Sequence, residues 1–156
     1  MRNNTYIEGT FYSKWFSKFI NHWFFSGVNF QTEKLFYLSF FFFKSKLNCC
    51  PLFFFFEALE KIKPFIGLKL YKKKHKKNKI VKVTAIPYFF KLPLQYKKGI
   101  FWLAKASQLR VEKNLIQKIV NELYSINILN SGESLKKKME LYKYAVLFKT
   151  TKRFKW

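Results

Sequence analysis

Apolar and polar residues follow a helical period near the start of the chain. The apolar residues stand four positions apart, and polar residues fall between them. The apolar positions are Phe11, Trp15, Phe19 and Trp23, and the polar positions are Ser13, Lys14, Ser17, Lys18 and Asn21. A glycine in the following "SGVN" suits the end of a helix, and "FQTEKLFYLSFFFF" after it is apolar over most of its surface. The pattern predicts a first amphipathic helix at about residues 10–25 and a second helix at about 30–43.

Two apolar runs in this region raise the question of a membrane-spanning segment. They cover residues 35–43 and 47–56 and are separated by a Lys-Ser-Lys triplet. A spanning helix needs about 20 mostly apolar residues, and a lysine near its centre costs roughly 2.5–3.5 kcal/mol. We therefore expect no membrane insertion, and predict a loop followed by a third helix at about 51–62 that begins at Pro51. A small membrane protein anchored by residues 35–56 is the competing interpretation.

Short alternating segments flank a dense cluster of lysines in the middle of the chain. "GLKLY" alternates before the cluster, and "KIVKVTAI" places its valines on one side after it. Between them, "KKKHKKNK" contains six lysines and one histidine. Two strands around a polar segment predict a β-hairpin at about residues 67–90, with a break in regular structure from Pro87 to Pro93.

Helical periodicity returns in the last part of the chain. Apolar residues at helical spacing predict three more helices at about residues 96–108, 112–128 and 134–150. In the last of them, the predicted inward stripe consists of Leu135, Met139, Tyr142 and Val146. The fold class predicted for residues 1–156 is therefore a single, mainly α domain of about six helices, with a β-hairpin arm that projects between the third and fourth helices.

Positive charge dominates the chain. The formal net charge is +23, from 31 Lys and Arg residues against eight Asp and Glu residues. A compact domain with that imbalance repels itself unless an anionic partner is bound. Phosphate groups of RNA, DNA or lipid headgroups are the candidate anions.

The clustered cations supply the candidate RNA-binding residues. Lysine is a point charge and not a planar fork, so the set suits contacts with a phosphate backbone better than reading of bases. A DNA regulator would more often carry Arg, Asn or Gln on a recognition helix, which the sequence does not show, so folded RNA is favoured over DNA. The candidates are Lys72, Lys73, Lys74, Lys76, Lys77, Lys79, Lys97, Lys98, Arg110, Lys136, Lys137, Lys138, Lys149, Lys152, Arg153 and Lys155.

The sequence gives little support for catalysis or metal binding. His22 and His75 have no serine, cysteine or acidic partner at a recognisable spacing, and there is no glycine-rich phosphate loop. The adjacent Cys49 and Cys50 have no further cysteine or histidine close by in the sequence. We expect no enzyme activity, no cofactor and no metal site.

Several motifs occur in the order found in one protein family. Before the hairpin stand "SKFINHWFFSG" and "ALEKIKP", and after it stand "AIPYFFKLP", "FWLAKAS", "NEL" and "KKKMELYKYAVLFKTTKRFKW". "ALEKIKP" is similar to a family pattern Ala-Leu-Glu-x-Val-(Arg/Lys)-Pro, and "FWLAKAS" is similar to the family's Arg-Trp-(Ile/Leu)-x-x-Ala-(Ala/Ser). In this order the motifs resemble the family of small ribosomal subunit protein seven from about Ser13 to Trp156.

The resemblance implies a function as well as a fold. It implies a structural constituent of the ribosome that is the primary rRNA-binding protein of the small-subunit head and nucleates assembly of that head. It further implies contacts with neighbouring head and platform proteins, and a hairpin that projects toward the exit-site tRNA and the mRNA exit. On this basis Lys72 to Lys79 lie near tRNA or rRNA, and Lys136 to Lys138 with the tail lie on rRNA or a neighbouring protein.

Composition adds an expectation about the source of the chain. Lysine outnumbers arginine 28 to 3 and phenylalanine occurs 21 times, a bias that an AT-rich reading frame would impose. The opening "MRNNTYIEGT" has the pattern of neither a signal peptide nor an Arg-rich transit peptide. We expect an organelle-encoded protein of the mitochondrial ribosome in the mitochondrial matrix, with a plastid location as the alternative. A free RNA chaperone is a further functional alternative.

Overall fold

A computed structural model describes residues 14–23, 29–47, 50–74 and 81–149 of the chain. Within these residues it contains six helices and one two-stranded antiparallel sheet. The helices are α1 (residues 14–23), α2 (Asn29–Leu47), α3 (Pro51–Ile62), α4 (Leu92–Leu109), α5 (Leu115–Asn127) and α6 (Glu133–Lys149), and the strands are β1 (Ile66–Lys74) and β2 (Val81–Phe89). The predicted fold class, mainly helical with a hairpin between the third and fourth helices, is confirmed.

The link between α2 and α3 is shorter than the sequence pattern predicts. α2 continues to Leu47, so the Lys-Ser-Lys triplet lies inside the helix and the loop predicted there is wrong. The helix accommodates the triplet because Lys44 and Ser45 are exposed, and the Ser45 hydroxyl donates to the Phe42 carbonyl at 2.9 Å. α3 begins at Pro51 as predicted, since proline lacks an N–H that the first helical turn would leave unused. Among the described residues, no helix combines the length and the apolar character needed to cross a membrane.

The second strand of the hairpin continues past Pro87, where the sequence predicts a break. β1 and β2 pair antiparallel along their whole length, and Pro87 lies inside β2 opposite Leu68. A two-stranded sheet leaves the outer edge of each strand unpaired, which accommodates a residue without an N–H. The next proline, Pro93, stands in the first turn of α4, which begins at Leu92 and not at residue 96. The predicted break is therefore confined to residues 90 and 91.

Capping sets the start of α5. The side-chain oxygen of Asn114 accepts a hydrogen bond from the backbone N–H of Ile116 at 3.1 Å. Asparagine is a favoured N-cap because its side chain satisfies an amide that has no partner inside the helix. α5 accordingly begins at Leu115, three residues after the predicted start at 112.

Aromatic side chains from α1, α2 and α3 form one part of the core. The Phe19 ring centroid lies 5.1 Å from that of Phe36 and 5.2 Å from that of Phe55, and all three side chains are buried. Apolar side chains of α4 and α5 extend the same core. The stripe predicted for α1 is confirmed where it is described, at Trp15, Phe19 and Trp23, and Phe11 lies outside the described residues.

The inward face of α6 differs from the predicted stripe. Met139 and Val146 are 57% and 64% exposed, so two of the four predicted inward positions are wrong. The buried positions of α6 include Ser134 and Ala145. Ser134 is buried because its N–H and hydroxyl donate to the buried Glu122 carboxylate of α5, a contact that hydrophobic spacing alone does not predict. α6 also packs against the hairpin and α4.

Candidate nucleic-acid interface

α1 and α4 lie side by side and run in the same direction. The rings of Trp15 and Tyr96 are stacked, with centroids 5.1 Å apart. Further along both helices, Trp23 Nε1 donates to Ser107 Oγ at 2.5 Å, and Gln108 Nε2 donates to the Trp23 carbonyl at 3.1 Å. These contacts join the inner faces of the two helices and bring their outer faces together on one surface.

The outer faces form a surface of lysines and aromatic rings, which we call the α1–α4 surface. Lys97, Phe101 and Lys105 stand four residues apart on α4, and Lys105 Nζ lies 4.6 Å from the Phe101 ring centroid. From α1, the ring of His22 meets that of Phe101 edge to face, with centroids 6.0 Å apart. The members of the surface are Lys14, Lys18, His22, Lys97, Lys98, Phe101 and Lys105.

No acidic side chain opposes this positive charge within the two helices. Neither the described residues of α1 nor those of α4 include Asp or Glu. Lys18 Nζ lies over Trp15, 4.4 Å from the ring centroid, while Lys97 and Lys98 are exposed. Ammonium groups neutralise phosphates, and an aromatic ring offers a face on which a base stacks. The chemistry of the α1–α4 surface therefore suits nucleic acid.

Hydrogen bonds from α6 fix the root of the hairpin. The backbone N–H of Phe65, one residue before β1, donates to the Tyr142 hydroxyl at 3.0 Å. On the other side of the base, the N–H of Phe90, the residue after β2, donates to the Phe65 carbonyl at 2.8 Å. One turn before Tyr142 on α6, Lys138 Nζ donates to the Lys61 carbonyl at the end of α3, at 2.6 Å. Because Gln95 Nε2 of α4 donates to the Phe90 carbonyl at 2.8 Å, the arm is also attached to the helical body on the other side of its base.

Two charged groups near the hairpin root have shifted pKa values. Burial disfavours the charged Lys138 ammonium and lowers its pKa; the charge of Lys63 lowers it further, and Glu60 opposes both effects. For Glu60, burial raises the pKa, but hydrogen bonds from Lys63 and Tyr96 and the nearby positive charges outweigh burial and lower it. Glu60 therefore compensates part of the positive charge that α3 and α6 bring together here.

Arg110 joins three helices through a buried carboxylate. Its Nε donates to Glu112 Oε1 and its Nη1 donates to Glu122 Oε2, both at 2.9 Å. Glu122 is fully buried, and its Oε1 accepts a hydrogen bond from the Ser134 hydroxyl at 2.7 Å. Burial lowers the pKa of Arg110, but the hydrogen bonds to the two glutamates outweigh it and raise the pKa. The guanidinium is therefore engaged in fixing the end of α4 to α5 and to the start of α6.

The described residues offer no arrangement suited to a metal ion. No three His, Cys, Asp or Glu side chains come together in this part of the chain. Cys50 is exposed at the N-cap of α3 and is a free thiol, and Cys49 lies outside the described residues.

Comparison with known proteins assigns the chain to a family. Residues 2–149 match the family described as ribosomal protein S7p/S5e. The chain belongs to this family. Small ribosomal subunit protein uS7 of Sulfurimonas denitrificans is 29% identical over 145 residues, which cover 92% of this chain and 88% of the relative. The uS7 protein of Pelagibacter ubique is 29% identical over 140 residues, which cover 89% and 85%. The family resemblance inferred from the sequence motifs is confirmed.

For this family member, the predicted RNA-binding residues occur in different settings. Lys97 and Lys98 are exposed on the α1–α4 surface. Arg110 and Lys138 make the internal hydrogen bonds described above, which give no support to an RNA contact. Lys136 pairs with Glu133, with 2.5 Å between Nζ and Oε1, and this hydrogen bond raises the pKa of Lys136 and lowers that of Glu133.

The remaining candidates lie on the hairpin, on α6 or in the tail. Lys137 is half-buried near the start of α6. The backbones of Lys72, Lys73 and Lys74 belong to β1, where they pair with residues 81–83 of β2, and Lys149 is the last residue of α6. The candidates outside the described residues are Lys76, Lys77, Lys79, Lys152, Arg153 and Lys155.

Sequence reasoning missed several members of the α1–α4 surface. Lys14, Lys18 and His22 are four residues apart on α1, and Phe101 and Lys105 continue the spacing of Lys97 on α4. This spacing marks one polar face on each helix and was available in the sequence. What the sequence did not reveal is that the two helices lie side by side, which requires the contacts between Trp15, Trp23 and α4.

Proposed function

We propose that the chain is a structural constituent of the small ribosomal subunit that binds rRNA and nucleates assembly of the subunit head. The observation that carries this proposal is the α1–α4 surface, where lysines and aromatic rings meet without an acidic residue in either helix. Family membership supports it, since the relatives are small-subunit proteins by name. The family is one of ribosomal proteins and not of enzymes, so we propose no catalytic activity.

Binding to rRNA occurs mainly through phosphates. Each lysine that neutralises a phosphate releases counterions, so affinity falls steeply as salt rises. If about six lysines contact duplex phosphates, a fourfold rise in salt weakens binding by roughly three orders of magnitude. Phe101, which contacts His22 and Lys105, adds an aromatic ring on which an unpaired base stacks.

The hairpin arm reaches the exit-site tRNA and the mRNA exit in the assembled subunit. What supports this part of the proposal is the fixed root, because Phe65 is hydrogen-bonded to Tyr142 and Lys138 to the end of α3. A fixed root directs an arm of nine paired residues on each strand, and β1 ends in three consecutive lysines. Neighbouring head and platform proteins complete the set of partners.

The proposed location is the mitochondrial ribosome in the matrix. The composition supports it, because lysine outnumbers arginine 28 to 3 and phenylalanine occurs 21 times, the bias that an AT-rich reading frame would impose. A plastid ribosome is the alternative. Sedimentation of tagged protein from purified mitochondria and from plastids distinguishes the two, and co-migration with small subunits from plastids alone would reject the mitochondrial proposal.

Salt-dependent binding to the 3′ major domain of small-subunit rRNA tests the proposed rRNA contact. The test variant is Lys97→Gln with Lys105→Gln, and the matched control is Lys143→Gln, which removes an exposed lysine from α6. For duplex contacts we expect the double variant to reduce the slope of log affinity against log salt by about two. The control should leave the slope unchanged. Equal slopes for the two variants and the parent chain would reject the α1–α4 surface as the rRNA contact.

Reconstitution tests the role in head assembly. Small subunits assembled from rRNA and purified proteins without this chain should lack the other head proteins, and adding it back should restore them. Full occupancy of the head proteins in its absence would contradict nucleation, while leaving rRNA binding intact.

A further inference from the structure

The outer face of α2 carries large apolar side chains that no described part of the chain covers. Tyr37, Leu38 and Phe41 are 59%, 45% and 72% exposed. With Glu33 and Lys34 they line a groove of about 420 Å³. Contiguous exposed apolar patches larger than a few hundred Å² are rare on monomeric proteins and mark sites of interaction.

The groove is held by a buried inner face. Phe36, Phe40 and Phe43 on the opposite side of α2 are buried, and the Phe36 and Phe40 ring centroids are 4.7 Å apart. Ser39 Oγ donates to the Phe36 carbonyl at 2.6 Å, so this inner polar group needs no further partner. A rigid helix that presents an apolar outer face binds a partner with little loss of conformational entropy.

The chemistry of the groove favours a protein segment over RNA or a second copy of the chain. Apolar side chains make up most of the lining, which suits an apolar protein segment better than a phosphate backbone, whose charge the Glu33 carboxylate at the rim would repel. A second copy carries the same net charge of +23, which opposes self-association. Lys34 and Lys44 are exposed at the two ends of the apolar stripe, ten residues or about 15 Å apart along the helix.

We propose that this α2 groove docks an apolar segment of a neighbouring small-subunit protein, whose acidic side chains pair with Lys34 and Lys44. Tyr37 and Phe41 are the anchoring side chains, since a few residues carry most of the energy of an interface and aromatic residues are enriched there. The inference rests on the proposed function only in placing that partner within the small subunit.

Site-specific photo-cross-linking in assembled small subunits tests the groove. Benzoylphenylalanine replaces Phe41 in one variant and Phe101 in a matched control, so that the same probe reports on the groove and on the α1–α4 surface. From position 41 we expect a cross-link to a protein peptide that contains apolar residues next to Asp or Glu. From position 101 we expect a cross-link to rRNA.

The outcomes at the two positions separate the two proposals. A cross-link from position 41 to rRNA or to a second copy, or none while position 101 reacts, overturns docking of a protein segment. A protein cross-link from position 41 without an rRNA cross-link from position 101 supports the groove and rejects the rRNA surface. If neither probe variant nor the parent chain is incorporated into small subunits, both proposals are overturned.

Charge reversal tests the acidic character of the partner. In the position 41 probe variant, Lys34→Glu with Lys44→Glu should lower the cross-link yield by about tenfold, because like charges at an interface are strongly unfavourable. Lys143→Glu, on the exposed part of α6, is the matched control and should leave the yield unchanged. An unchanged yield in the double variant overturns the pairing with acidic side chains.

Discussion

The buried contact between Arg110 and Glu122 provides the sharpest stability prediction. Arg110→Met removes the cation and leaves the fully buried Glu122 carboxylate with hydrogen bonds from Ser134 alone. Removing one partner of a buried ion pair costs about 3–5 kcal/mol. Because Arg110 is itself 24% exposed along its side chain, we expect the lower end of that range, about 3 kcal/mol.

Substitution of the partner residue, Glu122, should reduce the stability of the fold by less. Glu122→Gln keeps the side-chain volume and an oxygen that still accepts from Ser134, and the partly exposed Arg110 regains contact with water. Loss of a charged hydrogen bond then costs about 1.5–3 kcal/mol at most. We expect the arginine variant to be the less stable of the two, because it leaves a carboxylate without its cation and out of reach of water, whereas the glutamine variant leaves a guanidinium that water reaches.

Urea denaturation followed by circular dichroism measures both variants. A salt concentration of about 1 M screens the self-repulsion of the chain, because the Debye length falls to about 3 Å. Lys113→Met is the matched control, since it removes an exposed cation from the same link between α4 and α5. A loss of less than about 0.5 kcal/mol in the free energy of unfolding of Arg110→Met, as for an ordinary surface substitution, would refute this prediction. A greater loss for Glu122→Gln than for Arg110→Met would refute the predicted order.

Three further predictions concern the hairpin root, an acid-sensitive carboxylate and the contact between α1 and α4. Gly67→Ala places a methyl group in the space of the Phe90 ring, so we expect the free energy of unfolding to fall by about 1–3 kcal/mol and amide exchange in the hairpin to become faster. Exchange rates equal to those of the wild type would contradict this. Glu60 has a lowered pKa in the folded state, so its stabilising contribution is present above its unfolded pKa and is lost as the pH falls through the folded pKa. Glu60→Gln should flatten the acid side of the dependence of unfolding free energy on pH, and an unchanged acid slope would contradict this. Ser107→Ala leaves the Trp23 indole N–H without its acceptor and should destabilise the chain by about 1–3 kcal/mol in urea, whereas an unchanged midpoint would show that this hydrogen bond contributes nothing.

Elements whose apolar residues follow one period were predictable from the sequence. The α1 stripe was correct because Trp15, Phe19 and Trp23 pack into a single aromatic core. The hairpin was correct because alternating segments bracket a polar run, and Pro51 marked the start of α3 as an N-terminal proline does. In each case the local pattern and the tertiary contact favour the same structure.

Features that depend on contacts between distant elements were not predictable. The inner face of α6 was misassigned because the polar Ser134 is buried through its hydrogen bonds to Glu122, and because the buried Ala145 is smaller than the residues of the predicted stripe. Arg110 stood out in the sequence only as a cation, while Glu122, its partner, lies among buried apolar residues twelve positions away. The α1–α4 surface likewise joins two faces that are about eighty residues apart in the chain.

A density map of the assembled small subunit tests the central proposal most directly. The proposal predicts that the α1–α4 surface lies against rRNA of the subunit head, with phosphates within about 4 Å of the ammonium groups of Lys97 and Lys105. A map in which this surface faces solvent, or is covered by protein while rRNA contacts other parts of the chain, would contradict it.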